Sequence, residues 1–207
     1  MLGGQPAERL DPFPEHLGRV QMLSLPPVDQ DTVGWVSELQ RLRADHDAAV
    51  LAFELANRAY FAASISDRGD AFFEQFAERH SAMLAQQDAG TDTYYVLVAE
   101  DGSILGRFNL FLVGGGTANV GYRVAQHAAG RGVATAAVRE LCRLAAVDHG
   151  LRTLRAAASH DNAASRKVLT RAGFAPVGPA APADLGGKPG TWFQLGLGPV
   201  IRSTGAG

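Results

Sequence analysis

The sequence of 207 residues has few of the features that mark several common classes of protein. Its single cysteine, Cys142, cannot form an internal disulfide, which favours a reducing compartment. No uninterrupted apolar run approaches the ~20 residues that a membrane-spanning helix requires. The N-terminus lacks the basic region and apolar core of a secretory signal, so we expect a cytoplasmic protein without a membrane partner.

A basic excess is also missing, since the formal net charge is -2 and the pI is about 6.3. A surface that binds duplex nucleic acid normally needs a marked excess of lysine and arginine, so we expect no nucleic-acid partner. The 6 histidines form no pair on one helical turn and have no cysteine cluster beside them. We therefore predict no metal site.

Hydrophobic residues make up 46% of the sequence, which is enough to form one buried core. Five prolines break the first part of the chain, which favours irregular structure there with one short strand near Gly18–Leu25. We predict an N-terminal extension at residues 1–33, one domain at 34–198 and a C-terminal tail at 199–207. Cys142 itself is expected to be a small residue of the core.

The segment Gly121–Gly150 predicts a strand, a glycine-containing turn and a long helix. Val133 begins a helical pattern whose apolar residues share one face, with Arg139 and Arg143 roughly opposite. A helix begins with about four N–H groups that lack intrahelical partners, and an anion is stabilised there. Gly130 and Gly132 would allow its close approach, although they are equally compatible with a sharp strand-to-helix connection alone.

The rest of the chain predicts strands and helices in a definite order. A hairpin is indicated at Glu100–Ser103, and the return after three glycines gives three consecutive antiparallel strands. The segment Asn57–Asp70 has no clear period and is expected to be irregular. The predicted elements are a strand at Val36–Arg43, a helix capped by Asp45 and ending near Asn57, a helix from Asp70 to about Leu84, strands at Tyr94–Ala99, Ile104–Val113, Ala118–Ala125 and Leu154–Ser159, a helix at Asn162–Ala172, and strands at Phe174–Val177 and Thr191–Leu197.

Two short motifs occur at the joints between these elements. The first is HAAGRG at residues 127–132, after the strand 120–124, and the second is NAASRKVL at 162–169, followed by RAGF at 171–174. At this spacing they resemble the GNAT superfamily of N-acetyltransferases, particularly its ribosomal-protein N-terminal acetyltransferase-like branch. That resemblance implies an α+β fold with a mixed, mostly antiparallel central sheet flanked by helices. His127 departs from the glutamine or arginine usual in the family, at a position that works largely through its main chain.

The resemblance also implies acetyl-CoA as the co-substrate and assigns its contacts. Asn162 would bind the pantetheine arm, although it is also a plausible helix N-cap, and Arg166 or Lys167 would meet the nucleotide phosphates. The backbone of Arg123, Val124 and Ala125 would pair with the pantetheine. The pyrophosphate would lie on a turn formed by Gly130, Arg131, Gly132, Val133, Ala134 and Thr135.

For catalysis, the resemblance places the backbone N–H of Val124 as the oxyanion donor and Ser165 as the proton donor to the departing thiolate. Ala157 and Leu169 stand where many relatives have a glutamate and a tyrosine, so the usual acid/base pair is absent. Glu54, Asn119 acting through a water, and His160 stay open as general bases.

We accordingly predict an enzyme that transfers the acetyl group of acetyl-CoA to a primary amine of a small molecule or a peptide N-terminus. The missing acid/base pair favours a different class, a non-catalytic acyl-CoA-binding sensor, as the alternative. A nicotinamide dehydrogenase is disfavoured because the glycine turn lacks a third glycine and follows antiparallel strands. A homodimer is the default expectation for a small enzyme.

Overall fold

Seven strands form one sheet in this computed structural model, which describes residues 37–65 and 67–198. The strand order is β1-β2-β3-β4-β5-β7-β6, and β4 with β5 is the parallel pair among antiparallel neighbours. The predicted mixed, mostly antiparallel sheet flanked by helices is confirmed. The elements are β1 Ser37–Arg41, α1 Asp47–Ala56, α2 Arg58–Ala62, α3 Asp70–Glu74, α4 Phe76–Asp88, β2 Asp92–Ala99, β3 Ile104–Gly114, β4 Thr117–Val124, α5 Val133–Val147, β5 Thr153–Ser159, α6 Ala163–Arg171, β6 Ala175–Ala180 and β7 Gly190–Gly196.

Helix α5 packs as its sequence pattern predicts. Its apolar face, including Leu141 and Leu144, is buried in the core, while Arg139 on the opposite side is exposed. Cys142 is 8% exposed, and burial raises the pKa of its thiol to about 12. The expectation that this cysteine belongs to the core is therefore confirmed. A buried thiol with a raised pKa is also a poor nucleophile.

The region between β1 and α1 differs from the prediction. Asp45 does not cap the helix: its carboxylate binds the guanidinium of Arg43, with Nε 2.9 Å from Oδ1. Ala44–His46 instead forms a single 3-10 turn, and α1 begins at Asp47. The acid that was expected to cap is thus engaged by a neighbouring arginine.

The segment expected to be irregular contains the short helix α2, so that prediction is wrong. Phe61 on α2 is buried and lies 5.5 Å from Phe53 of α1, measured between ring centroids. This aromatic packing stabilises a helix too short for its period to show in the sequence. The helix predicted from Asp70 is interrupted at Gln75, which separates α3 from α4.

Strand β6 extends beyond the predicted Phe174–Val177 and ends at Ala180. Its register with β7 shifts between Pro176 and Gly178, and Gly178 has φ of 148°. The glycine lets the strand continue through the irregularity, and the prolines are tolerated because β6 is at the edge of the sheet.

Some predictions concern residues that the structure does not describe. The strand expected at Gly18–Leu25, the N-terminal extension, the first residue of the predicted strand at Val36 and the C-terminal tail lie outside the described residues. The division into 1–33, 34–198 and 199–207 therefore stays a prediction. Within the two described ranges, no helix has both the length and the apolar character needed to cross a bilayer.

Candidate active site

Strands β4 and β5 separate along their length and open a gap in the sheet. They pair in parallel only between Thr117–Asn119 and Thr153–Arg155. Strand β4 then continues to Val124 and β5 to Ser159. From residue 120 onward, one edge of β4 faces no paired strand in the described part of the chain, so this edge can accept an extended molecule that carries amides.

The ladder between β3 and β4 decides which amides of β4 point into the gap. The N–H of Ala125 donates to the carbonyl of Leu105 at 2.8 Å, on the β3 side. Because backbone N–H groups alternate between the two edges of a strand, the N–H of Val124 points to the gap. Of the three residues predicted to line the pantetheine, Val124 is thus the one with an N–H directed into the gap.

The entrance of α5 is shaped by two glycines in the left-handed region. Gly130 has φ of 78° and Gly132, at the N-cap, has φ of 80°. A Cβ built on either glycine meets nothing within 4 Å, so the space in front of this helix end is open. The first turn of α5 contains no acidic residue, and its free N–H groups make the opening electropositive.

Three polar side chains connect β4 with the start of α6. The hydroxyl of Tyr122 lies 3.0 Å from Ser165 Oγ and 3.3 Å from the Ser165 carbonyl. The N–H of Ser165 donates to Asn162 Oδ1 at 2.9 Å, so Asn162 is the N-cap of α6. Burial raises the pKa of Tyr122 to about 12, although its hydrogen bond with Ser165 lowers it, so this hydroxyl holds its proton at neutral pH.

The capping role of Asn162 uses only the oxygen of its amide group. Its Nδ2 has no hydrogen-bond partner among the described residues and stays available for a ligand. Arg166 and Lys167 are exposed one turn further along α6, as are Arg131 and Gly132 at the entrance of α5. The two helix starts therefore bring most of the predicted acetyl-CoA contacts together on one end of the sheet.

Glu54, one of the three candidate bases, forms ion pairs with two arginines in a buried network. Its carboxylate is 2% exposed and lies 2.6 Å from Arg107 Nη1 and 2.9 Å from Arg123 Nη1. Burial alone raises the pKa of Glu54, but the charges of Arg107 and Arg123 outweigh it and the net pKa is lowered. A carboxylate with a lowered pKa and both oxygens occupied is a poor proton acceptor.

The other two candidate bases differ in their surroundings. Asn119 is 9% exposed, and its Oδ1 is buried without a hydrogen-bond partner among the described residues. His160 is exposed at the end of β5, where its Nε2 lies 3.3 Å from Thr191 Oγ1. Asn119 lies on β4 beside the gap, whereas His160 is at its outer end.

The aromatic side chains near α2 and α3 are mostly part of the core. Phe61, Phe72 and Phe76 are buried, whereas Tyr60 is 37% exposed. The guanidinium of Arg123 lies 5.4 Å from the ring centre of Phe61. One wall of the gap region is thus formed by a buried aromatic residue and an arginine.

Sequence reasoning did not identify Tyr122, Arg107 or Arg123 as side chains of the site. Arg107 and Arg123 are direct partners in the β3–β4 register, so the predicted hairpin register could have placed them on one face. Their shared partner, Glu54, is 53 residues from Arg107 and 69 residues from Arg123 in the sequence, so no local pattern indicates these ion pairs. Among residues 37–65 and 67–198, no three histidine, cysteine, aspartate or glutamate side chains are grouped to hold a metal ion.

A parallel pair of strands that separates beside an open helix entrance defines an acyl-CoA transferase type of fold. Residues 38–175 match the family model described as the acetyltransferase (GNAT) domain, so this chain belongs to the GNAT acetyltransferase family. The family predicted from the two motifs is confirmed. None of the curated proteins matches the sequence.

Solved structures with the same fold include several acetyltransferases. The ribosomal-protein-S5-alanine acetyltransferase from Vibrio fischeri has a TM-score of 0.71 at 19% identity, covering 78% of this chain and 93% of that one. RimJ from Mycobacterium smegmatis, in complex with CoA-disulfide, has a TM-score of 0.69 at 22% identity, covering 78% and 82%. A spermidine N-acetyltransferase from Vibrio cholerae, in complex with CoA and spermine, has a TM-score of 0.65 at 12% identity, covering 78% and 95%. These likenesses concern the fold.

Proposed function

We propose that this protein transfers the acetyl group of acetyl-CoA to a primary amine by direct attack, through a tetrahedral intermediate. The observation that most strongly supports this is the gap between β4 and β5 directly before the open entrance of α5. The gap offers an unpaired strand edge to the pantetheine, and the helix entrance offers free N–H groups to the pyrophosphate. One extended molecule with a diphosphate at one end satisfies both.

The cofactor would be held mainly by backbone. The turn from Gly130 to Thr135 supplies N–H groups to the pyrophosphate, and its two glycines allow the phosphates to approach closely. The Nδ2 group of Asn162 would donate to the pantetheine while Oδ1 caps α6. Arg166 would stabilise the nucleotide phosphates as a charged donor.

At the reacting carbon, the N–H of Val124 would donate to the oxyanion of the tetrahedral intermediate. Ser165 would give its proton to the thiolate of CoA and regain one from water, and Tyr122, hydrogen-bonded to Ser165 Oγ, would hold that hydroxyl in position. The tetrahedral intermediate collapses as the carbon–sulfur bond breaks and the amide bond remains. Glu54 is poorly suited to take the proton of the amine because both of its oxygens are held by arginines, so a water would do so.

The test is CoA release, followed with a thiol-reactive dye, for a panel of amines and peptides. Ser165→Ala should lower kcat by about 10²-fold or more if this proton transfer matters, with little change in the KM for acetyl-CoA. Ser81→Ala is a matched control, because Ser81 lies on α4 and bonds only to the carbonyl of Ala77. Tyr122→Phe should lower kcat less than Ser165→Ala. Absence of CoA release with every acceptor would contradict the proposal.

A second candidate function is a non-catalytic acyl-CoA-binding module. It is favoured by Ala157 and by the fully buried Leu169 at positions where many relatives have the acid and the base. Calorimetry that gives tight acetyl-CoA binding, with no CoA release from any acceptor, would support this module instead. Turnover that is lost in Ser165→Ala would exclude it.

A further inference from the structure

Lysine is rare in this chain, whose sequence contains only Lys167 and Lys188. Lys167 is exposed on α6. Lys188 lies in the connection between β6 and β7, and its side chain is partly exposed. Both side chains end in a primary amine, the group that the proposed reaction acetylates. The position of each amine relative to the gap therefore decides whether the chain can be its own acceptor.

The backbone beside Lys188 is held at the end of β5. The N–H of His160, which directly follows β5, donates to the carbonyl of Pro189 at 3.0 Å. Strands β4 and β5 are parallel, and Val124 and His160 are each seven residues beyond the first pair of the ladder between them. Because both strands rise by the same distance per residue, these two residues are at a similar level along the sheet. Lys188 thus begins close to the level of the N–H expected to bind the oxyanion.

The side chain of Lys188 extends from the β5 side of the gap toward the β4 side. Its Nζ donates to the carbonyl of Ser64 at 3.3 Å. Ser64 follows α2, and its own N–H donates to the carbonyl of Phe61 at 2.9 Å. The ring centre of Phe61 in turn lies 5.4 Å from the guanidinium of Arg123, the residue before Val124 on β4. The side chain of Lys188 therefore spans the gap.

This side chain is on the face of the sheet opposite α6. Successive residues of a strand point to opposite faces, and Tyr122 contacts Ser165 of α6 whereas Arg123 binds a carboxylate of α1. Because the amine of Lys188 lies over the aromatic contact with Arg123, it is on the α1 face. The thiolate is expected near Ser165 on the α6 face. The amine of Lys188 is thus on the side from which an acceptor would attack.

The amine of Lys188 is only weakly held in this position. The carbonyl of Ser64 is its one hydrogen-bond partner among the described residues, and the distance of 3.3 Å is longer than the usual range of about 2.7–3.2 Å. Within residues 37–65 and 67–198, no carboxylate forms an ion pair with it. Since its four-carbon stem is flexible, the amine can leave Ser64 and enter the gap without breaking an ion pair.

We infer that Lys188 is a site of acetylation by the protein itself, with acetyl-CoA as the donor. The neutral amine attacks the carbonyl carbon of the thioester, the carbon–sulfur bond breaks, and an amide forms on Nζ. The proton of the amine passes to water, and the departing thiolate takes a proton from Ser165. Lys167, on α6, is on the other face and is not modified in this way. The inference rests on the proposed acetyl transfer and names one acceptor for it.

The experiment incubates the whole protein with acetyl-CoA in the absence of any added amine. Mass spectrometry after proteolytic digestion locates the acetyl group, and a thiol-reactive dye follows the release of CoA. We expect Lys188 to be acetylated at least about tenfold faster than Lys167, because its amine is held beside the thioester. At a fixed concentration of acetyl-CoA, the rate per chain should not change when the protein is diluted, since the reaction is intramolecular.

Variants separate this reaction from chemical acetylation in solution. Lys188→Arg keeps a positive charge but removes the primary amine, so it should abolish the stoichiometric release of CoA without acceptor. Arg152→Lys is the matched control, because Arg152 also donates to a loop carbonyl, that of Gly115, but at the paired end of β4 and β5. The lysine introduced there should react no faster than Lys167. Ser165→Ala should slow the acetylation of Lys188 by about tenfold or more, and in urea both native lysines should react at similar rates.

The outcomes separate this inference from the proposed function. Equal acetylation of Lys167 and Lys188, or a rate per chain that falls on dilution, would overturn the inference. Acetylation of Lys188 that Ser165→Ala does not slow would be chemical and would overturn it as well. If Lys188 stayed unmodified while added amines gave CoA release, the inference would be wrong and acetyl transfer would stand. No acetylation and no CoA release with any amine of a wide panel would instead contradict acetyl transfer itself.

Discussion

The buried network around Glu54 should be essential to the stability of the fold rather than to proton transfer. Glu54→Gln keeps the shape of the side chain and removes its charge. The carboxylate is 2% exposed, and its partners Arg107 and Arg123 are 6% and 17% exposed. The substitution therefore removes the carboxylate that faces the largely desolvated guanidinium group of Arg107.

The expected cost follows from that burial. Removing one partner of a buried ion pair costs about 3–5 kcal/mol, because the remaining charge stays buried and uncompensated. For a chain of this length, 1 kcal/mol corresponds to roughly 2–4 °C in Tm, so we expect a decrease of about 10 °C. Glu140→Gln is the matched control, since the Arg143 partner of Glu140 is 37% exposed. It should cost about 1 kcal/mol or less.

The assay is urea-induced unfolding of both variants and the unsubstituted protein, with kcat measured in parallel. The pKa of Glu54 is lowered in the folded state from 4.5, so its stabilising effect is present above that pH and is lost as the pH falls through the folded-state pKa. Glu54→Gln should lack this acid-dependent loss. If Glu54→Gln matched Glu140→Gln in stability while kcat fell by about 10²–10⁴-fold, the network argument would be refuted and Glu54 would be the general base.

Three further predictions follow from local geometry. Gly132→Ala should raise the KM for acetyl-CoA, because φ of 80° strains any other residue and the new methyl group enters the open space at the helix entrance. Gly187→Ala is the control for backbone strain alone, since Gly187 has φ of 91° and also faces open space. Asn162→Asp should keep the cap of α6 but raise the KM for acetyl-CoA, whereas Asn162→Ala should also lower the free energy of unfolding in urea by about 1 kcal/mol. If the two variants had equal effects on KM and on stability, Oδ1 would not be the capping atom with Nδ2 binding the ligand. His149, whose pKa is lowered from 6.5 to about 4 by burial and by Arg41, binds its proton more readily when unfolded, so unfolding free energy should fall as the pH is lowered across this window. His149→Gln should flatten that dependence, and an unchanged slope in urea unfolding at several pH values would contradict the assignment.

The features that sequence alone predicted well are those set by neighbours along the chain. The apolar stripe of α5 repeats with the helical period, so its buried face could be assigned from residues 133–145. The turn at residues 100–103 ends one β-rich run and begins the next, which fixed the β2–β3 hairpin. The positive φ of Gly130 and Gly132 agrees with the predicted strand-to-helix turn.

The features that sequence did not predict depend on contacts between distant segments. The helix α2 has only five residues, and it is stabilised by the packing of Phe61 on Phe53 rather than by its own period. Asp67 and Asp70 both bind Arg58, nine and twelve residues away, and no local pattern in the sequence indicates these ion pairs.

Holding both reactants at the gap would account for acetyl transfer without the family's usual acid/base pair. Ser165 and Tyr122 lie on the α6 face, near the expected thiolate, while Arg123 and Glu54 form an ion pair on the opposite face. Positioning two reactants at one carbon can replace much of the barrier reduction that a general base would supply. If so, Ser165→Ala and Tyr122→Phe should change kcat and leave the KM for the acceptor unchanged.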